Sequence, residues 1–194
     1  MTRARTIGAV ALVIYVGSIV AANYAITHGL PFGLSSPTPF GTYTVPVWPL
    51  PYLIAPAGTY VVALSWPSRD VVQRSLGRLA GFGAIAVAAV LSYWIASPAI
   101  AIASGGTFAI SEGLDAAIYT PLQRRFFVWA VVVSSVVAAV VDSLIFLAWS
   151  GIGYGNGQLA GLIVGKLWII ALIGAPAAYA LRRQLPLNEG LLPA

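Results

Sequence analysis

Three carboxylates and one ammonium stand in stretches otherwise apolar enough to cross a bilayer: Glu112 and Asp115 between Ala101 and Arg125, Asp142 between Phe126 and Trp149, and Lys166 between Leu159 and Leu181. Glu112 and Asp115, three residues apart, share one face of a helix, which continues back through Phe108, Gly105 and Ala101. An ionised side chain in hydrocarbon costs at least a few kcal/mol, so these groups must face a partner or a polar cavity. A buried carboxylate without a cation takes up a proton or waits for a ligand rich in N–H donors. A purine-like base is such a ligand: its amidine edge donates two hydrogen bonds to one carboxylate, and its flat ring fits an aromatic or apolar slot.

Depth separates the charges. At 1.5 Å per residue, Glu112 lies roughly 18 Å from Arg124, near the middle of a ~30 Å core, with Asp115 about one turn nearer that arginine. Asp142 lies roughly 10 Å from Trp149 and Lys166 about 24 Å from Arg182, both in the opposite half. Asp142 and Lys166 are therefore expected to pair, and Glu112 and Asp115 to have no cation at their own level. Asn23, at the end of the first apolar run, is polar enough to join a site or to bond a neighbouring helix.

The elements that position these groups are read from composition and arginine placement. Of 194 residues 59% are hydrophobic and 8% charged, and the mean hydropathy is +0.90, too little polar surface for a soluble domain. The expected fold is an all-α integral membrane protein, one domain of six transmembrane helices over about 7–26, 47–66, 79–95, 100–120, 126–149 and 159–181. Ala21, Ala22 and Ala25 imitate a signal-peptide cleavage site, but the first apolar run exceeds a usual ~7–15-residue signal core and is read as a retained helix.

His28 to Pro46, with no Lys or Arg, reads as an external loop that folds back over the bundle, and the second span is broken by Pro49, Pro51, Pro56 and Gly58. Ser65 to Arg78 reads as a short interfacial helix capped by Ser68, with Arg69 as an interface anchor and Asp70 as a helix-start charge. Gly151 to Gly157 reads as an outer turn and Gln184 to Ala194 as an irregular tail. In this layout every arginine falls on one side, so both termini are expected in the cytoplasm and the protein in the cell (inner) membrane as a multi-pass chain. The net charge of +5 is then an orienting charge, not a sign of nucleic acid. Gly157, Gly161 and Gly165 recur every four residues and read as a close-packing face that lets a second helix approach Lys166.

Several functions are disfavoured. There is no cysteine and a single histidine, His28, outside the spans, which removes thiolate chemistry, His-based zinc sites and a Ser–His dyad. No enzyme activity, cofactor or metal is expected. No phosphate-binding loop of the G-x-x-x-x-G-K-[ST] type occurs, so ATP use would fall to partner subunits.

The order of short motifs resembles the queuosine precursor transporter family, also called the VUT or vitamin-uptake-transporter-like family. The matching pieces are Ala22-Asn23-Tyr24, Arg69-Asp70-Val71-Val72 with Gly77, Ile102-Ala103-Ser104, Ser111-Glu112-Gly113-Leu114-Asp115 with Tyr119, Asp142-Ser143 with Phe146, and Lys166. They run from about Ile7 to Leu181, nearly the whole chain. Departures stand at Gln73, near a position that often carries an acid, and at Ala139, where some relatives have Asn.

The resemblance implies uptake of 7-cyano-7-deazaguanine or 7-aminomethyl-7-deazaguanine, precursors of a modified tRNA base. It also implies a six-helix fold similar to the substrate-binding subunits of energy-coupling-factor importers. On this reading Asn23, Tyr24, Phe108, Glu112, Asp115, Asp142 and Lys166 form the substrate site, and Arg69 and Asp70 lie near the inner gate. The alternatives are a vitamin-binding subunit driven by an energy-coupling-factor ATPase module, for which Ala21 and Ala25 offer a docking face, and a structural membrane protein whose charges only hold helices together. A homo-oligomer is compatible with all three.

Overall fold

A computed structural model of the chain describes residues 3–38, 42–95, 98–150 and 157–185. The expected turns at Ser97 and 151–156, and the tail beyond Leu185, lie outside the described residues. The chain is mostly helical. Helix α1 (Arg3–His28) is followed by a single 3-10 turn (Pro31–Gly33) and three short strands, β1 (Ser36–Pro37), β2 (Tyr43–Val47) and β3 (Leu50–Pro56). Then come α2 (Thr59–Val62), α3 (Ser65–Leu76), α4 (Arg78–Ile95), α5 (Pro98–Leu122), α6 (Phe127–Ser150) and α7 (Gln158–Ile169). A π-helical turn, Ile170–Gly174, runs on into α8 (Ala175–Leu181). Among the described residues three segments are long and apolar enough to cross a bilayer: Arg3–His28, Phe127–Ser150 and Gln158–Leu181. They are consistent with a membrane protein.

Five of the six expected spans coincide with helices, α1, α4, α5, α6 and the α7–α8 pair. The second, 47–66, does not. Its first half is a strand pair, with Thr44 opposite Pro56, Val45 opposite Ala55 and Pro46 opposite Ile54, and β1 adds a third antiparallel strand. The prolines explain the departure. Each removes an N–H and clashes with the preceding helical turn, while the alternating Tyr, Thr, Val and Ile suit a pleated strand. The chain then makes one helical turn in α2 and continues through α3, so this passage ends at Leu76, about ten residues later than expected.

The later ending overturns the reading of 65–78 as an interfacial helix. Helix α3 starts at Ser65, three residues before the expected cap Ser68, and lies inside the bundle against α1, α4, α5 and α6. Trp66, Arg69, Asp70 and Val72 are fully buried. Its charges are satisfied by neighbours within the protein rather than by water, as the site geometry shows.

The bundle has two distinct ends. At one, an apolar cluster joins Ile7 of α1, Val71 and Val72 of α3, Tyr119 of α5, Phe127 and Val131 of α6, and Ala178 of α8, with arginines at positions 74, 124, 125, 182 and 183 around it. At the other, Ala25 of α1 packs on Val45 and Ala57 of the strand region. The three-stranded sheet covers that end, as the fold-back reading of the external loop predicts.

The sheet is held by close main-chain approach. A methyl group on Gly161 of α7 would collide with the Ile54 carbonyl of β3, and one on Gly58 would collide with the Ala22 carbonyl of α1. The expected glycine face on the last span is thus real, but its partner is a strand and the α2 turn rather than a helix. Gly161→Val is expected to lower stability by about 1–3 kcal/mol through this overlap, read as an earlier thermal unfolding midpoint in detergent. An unchanged midpoint would show that β3 is free to move off α7.

Candidate functional site

Arg69 is the centre of the interior. It lies on α3 with its side chain fully buried, and α5 supplies its main partners. Its Nε donates to Glu112 Oε2 at 3.3 Å, its Nη1 to Gln73 Oε1 at 2.8 Å, and its Nη2 to Asp115, with Asp70 Oδ1 3.1 Å from the same nitrogen. The planar guanidinium is suited to such a fork of acceptors. Around it Ser65 Oγ donates to Glu112 at 3.3 Å, Ser134 Oγ to Asp70 at 3.4 Å, and Gln73 Nε2 to Thr120 Oγ1 at 3.1 Å. Tyr119 donates to the Asp70 carbonyl at 3.0 Å, and its ring lies 5.6 Å from the guanidinium.

The expectation that Glu112 and Asp115 have no cation at their own level is therefore wrong. Arg69 is that cation. The error follows from placing the end of the second passage at Trp66, which left Arg69 outside. For the same reason Arg69 and Asp70 are not at an interface: both side chains are inaccessible. The rule that every arginine marks one end has this one exception among the described residues.

The second cluster lies toward the sheet-covered end. Lys166 Nζ of α7 donates to Asp142 Oδ2 of α6 at 2.6 Å and to Ser143 Oγ at 2.9 Å, the pairing that their depths predict. The Trp66 ring lies 5.7 Å from the ammonium. Ser111 Oγ of α5 donates to Asp142 Oδ1 at 3.1 Å. Because Ser111 precedes Glu112, one helical residue step links the two clusters. Four carboxyl groups and two cations thus share one interior.

A cavity of about 50 Å³ opens on the second cluster. Asn23 and Ala22 of α1, Ser104, Thr107 and Phe108 of α5, Asp142 and Phe146 of α6, Lys166 of α7, and Pro56, Gly58 and Thr59 from the sheet and α2 line it. Asn23 accepts from Ser104 Oγ at 3.1 Å and donates to the Ile19 carbonyl at 3.0 Å. The hollow is well below the ~300 Å³ at which ligand pockets usually begin. It has room for a few waters and is too small for a ring-sized guest unless the surrounding elements move apart.

Of the expected substrate residues, Asn23, Phe108, Asp142 and Lys166 meet at this cavity. Glu112 and Asp115 stand behind it on Arg69. Tyr24 does not belong to it: its side chain is exposed and stacks on His28, with ring centroids 4.2 Å apart. One helix position past Asn23 places it on the outer face of α1. The proposed docking face at Ala21 and Ala25 also fails, since Ala25 is buried beneath the sheet while Ala21 is exposed.

The residues that sequence reasoning missed are mainly hydroxyls and amides: Ser65, Gln73, Thr107, Ser134 and Thr59. The usable signal was a run of small polar residues inside apolar helices, such as Ser134–Ser135 midway along α6. Such groups need buried partners in a bilayer. No family model, curated protein or solved structure matches this chain.

Proposed function

We propose that this chain is a six-span cell-membrane importer of a purine-like solute, a 7-deazaguanine precursor of queuosine, and not an enzyme. The observation that carries the reading is the meeting of an acceptor, a cation and aromatic walls at one inward hollow: Asp142, Lys166 and Asn23 beside Phe108 and Phe146. Asp142 would accept from the N–H edge of the base, Lys166 would donate to its ring carbonyl, and the two phenyl groups would flank its faces. The motif resemblance supports the choice of base. The charges of Arg69, Asp70, Glu112 and Asp115 then hold α3 against α5 behind the site rather than touch the guest.

A second reading, the ligand-binding subunit of an ATP-driven importer, is favoured by one feature. An apolar groove of about 650 Å³ opens between the first half of α1 and α8, floored by Leu64, Pro67 and Val71, and a partner helix would fit it. The two readings share the cavity and differ in the energy source.

The deciding experiment is titration of the purified protein with the two deazaguanines, scored against guanine and a B vitamin, followed by uptake in cells lacking any such ATPase module. Selective deazaguanine binding with uptake supports the autonomous importer. Binding without uptake supports the second reading, and no thermal shift with any purine returns the chain to a structural role.

A further inference from the structure

We propose that the arginine-ringed cleft between the α5–α6 turn and the end of α8 is a binding site for the headgroup of an anionic phospholipid. The cleft measures about 660 Å³. Five arginines line it, Arg74, Arg124, Arg125, Arg182 and Arg183, and no Asp or Glu does so among the described residues. The inference needs only a bilayer around the bundle and does not rest on the deazaguanine reading.

The floor of the cleft is built. Arg74 is buried, donates from Nε to the Leu185 carbonyl at 2.7 Å and from Nη1 to the Gln123 carbonyl at 2.9 Å, and lies 4.3 Å from the centre of the Phe127 ring. It ties α3, the α5–α6 turn and the segment after α8 into one rigid base. The other four arginines are drawn toward this base by chain geometry: 124 and 125 sit in the turn between two antiparallel helices, and 182 and 183 follow α8 directly. Arg182 packs its guanidinium 3.3 Å from the centre of the Tyr179 ring, which fixes its direction. Like charges lining one cleft repel, and a bound phosphodiester relieves the repulsion while its two free oxygens accept from the guanidiniums nearest it.

Two features choose a lipid over a soluble phosphate. The cleft lies at the ends of two of the membrane-length segments, where α6 begins and α8 stops. An exposed apolar surface leads away from it: Phe126 and Trp129 at the rim, then Val133 one turn further along the same face of α6, are 58%, 65% and 40% exposed. Trp at this level is the usual marker of the headgroup plane, and basic pockets there suit anionic headgroups. A phosphate seated among the arginines would leave its acyl chains on that surface.

The test is the thermal unfolding midpoint of the full chain in mild detergent with added phosphatidylglycerol, cardiolipin, phosphatidylcholine or inorganic phosphate. The two anionic lipids are expected to raise the midpoint and phosphatidylcholine to leave it unchanged. The double substitutions R124Q/R125Q and R182Q/R183Q should each lose most of the rise. R3Q/R5Q, the same change in charge on exposed residues of α1, should keep it. An equal loss in R3Q/R5Q, or no rise with either anionic lipid, overturns the proposal. A rise of the same size with inorganic phosphate shows a free-anion site and overturns it as well. Native mass spectrometry of the wild-type chain gives an independent readout should a variant fail to fold: phosphatidylglycerol must survive release from the micelle better than phosphatidylcholine.

Discussion

Arg69→Gln is expected to be the most damaging single substitution in this chain. It leaves Asp70, Glu112 and Asp115 close together without the guanidinium that all three address. Removing one partner of a buried ion pair typically costs about 3–5 kcal/mol, and here one side chain serves three acids. The measurement is the yield of monodisperse protein in detergent together with its unfolding midpoint. The same argument predicts a rescue. Adding Glu112→Gln and Asp115→Asn removes two of the three orphaned charges while keeping nearly the same shapes, so the triple variant should recover part of the lost stability. An Arg69→Gln protein as stable as the wild type, or a triple variant worse than the single, would show that these groups do not act as one unit. Arg69→Lys should fall in between, because an ammonium cannot present a planar fork.

Asp142→Asn is expected to have the largest effect on ligand binding. If the base sits in the cavity, a hydrogen bond to a charged acceptor is lost, a change of about 1.5–3 kcal/mol, or roughly ten- to a hundredfold in affinity. Lys166→Met should act in the same direction, since both groups line the hollow and bond each other at 2.6 Å. Glu112→Gln should behave differently. Its partners are Arg69 and Ser65, so it should weaken the fold more than the affinity. Tyr24→Ala, on the outer face of α1, should leave both unchanged. Isothermal titration with the two deazaguanines separates these outcomes. Equal affinity in Asp142→Asn and the wild type would remove the cavity from the proposed site, and a loss confined to Glu112→Gln would move the site to the Arg69 cluster.

The difference between these two acids was only half legible in the sequence. The depth argument paired Asp142 with Lys166 because both lie in long regular helices, where residue count converts directly to height. It failed for Glu112 and Asp115 because their partner is reached through an irregular passage. A strand advances about twice as far per residue as a helix, and the hairpin spends residues turning back, so a helix-length span begun at Val47 ended at Trp66 and left Arg69 outside the bundle. Hydropathy added to the error. A segment with Arg69, Asp70, Gln73 and Arg74 reads as solvent-facing, although side chains that satisfy one another can be buried together. The five regular helices, the fold-back of the external loop and the glycine contact near Lys166 needed only periodicity, proline placement and small-residue spacing. Tyr24 was assigned by its neighbourhood to Asn23, and a helix turns adjacent residues about 100° apart.

The lid over the hollow is fastened at several points. Gly58 and Gly161 lie against the peptide carbonyls of Ala22 and Ile54, the Tyr60 hydroxyl bonds the Pro46 carbonyl and the Trp48 amide, and the Trp48 ring lies 6.0 Å from that of Trp168 on α7. On the importer reading, a guest that enters beneath the sheet must part several of these contacts together, and the α2 turn that follows Gly58 and carries Tyr60 leads directly into α3, the helix that bears Arg69.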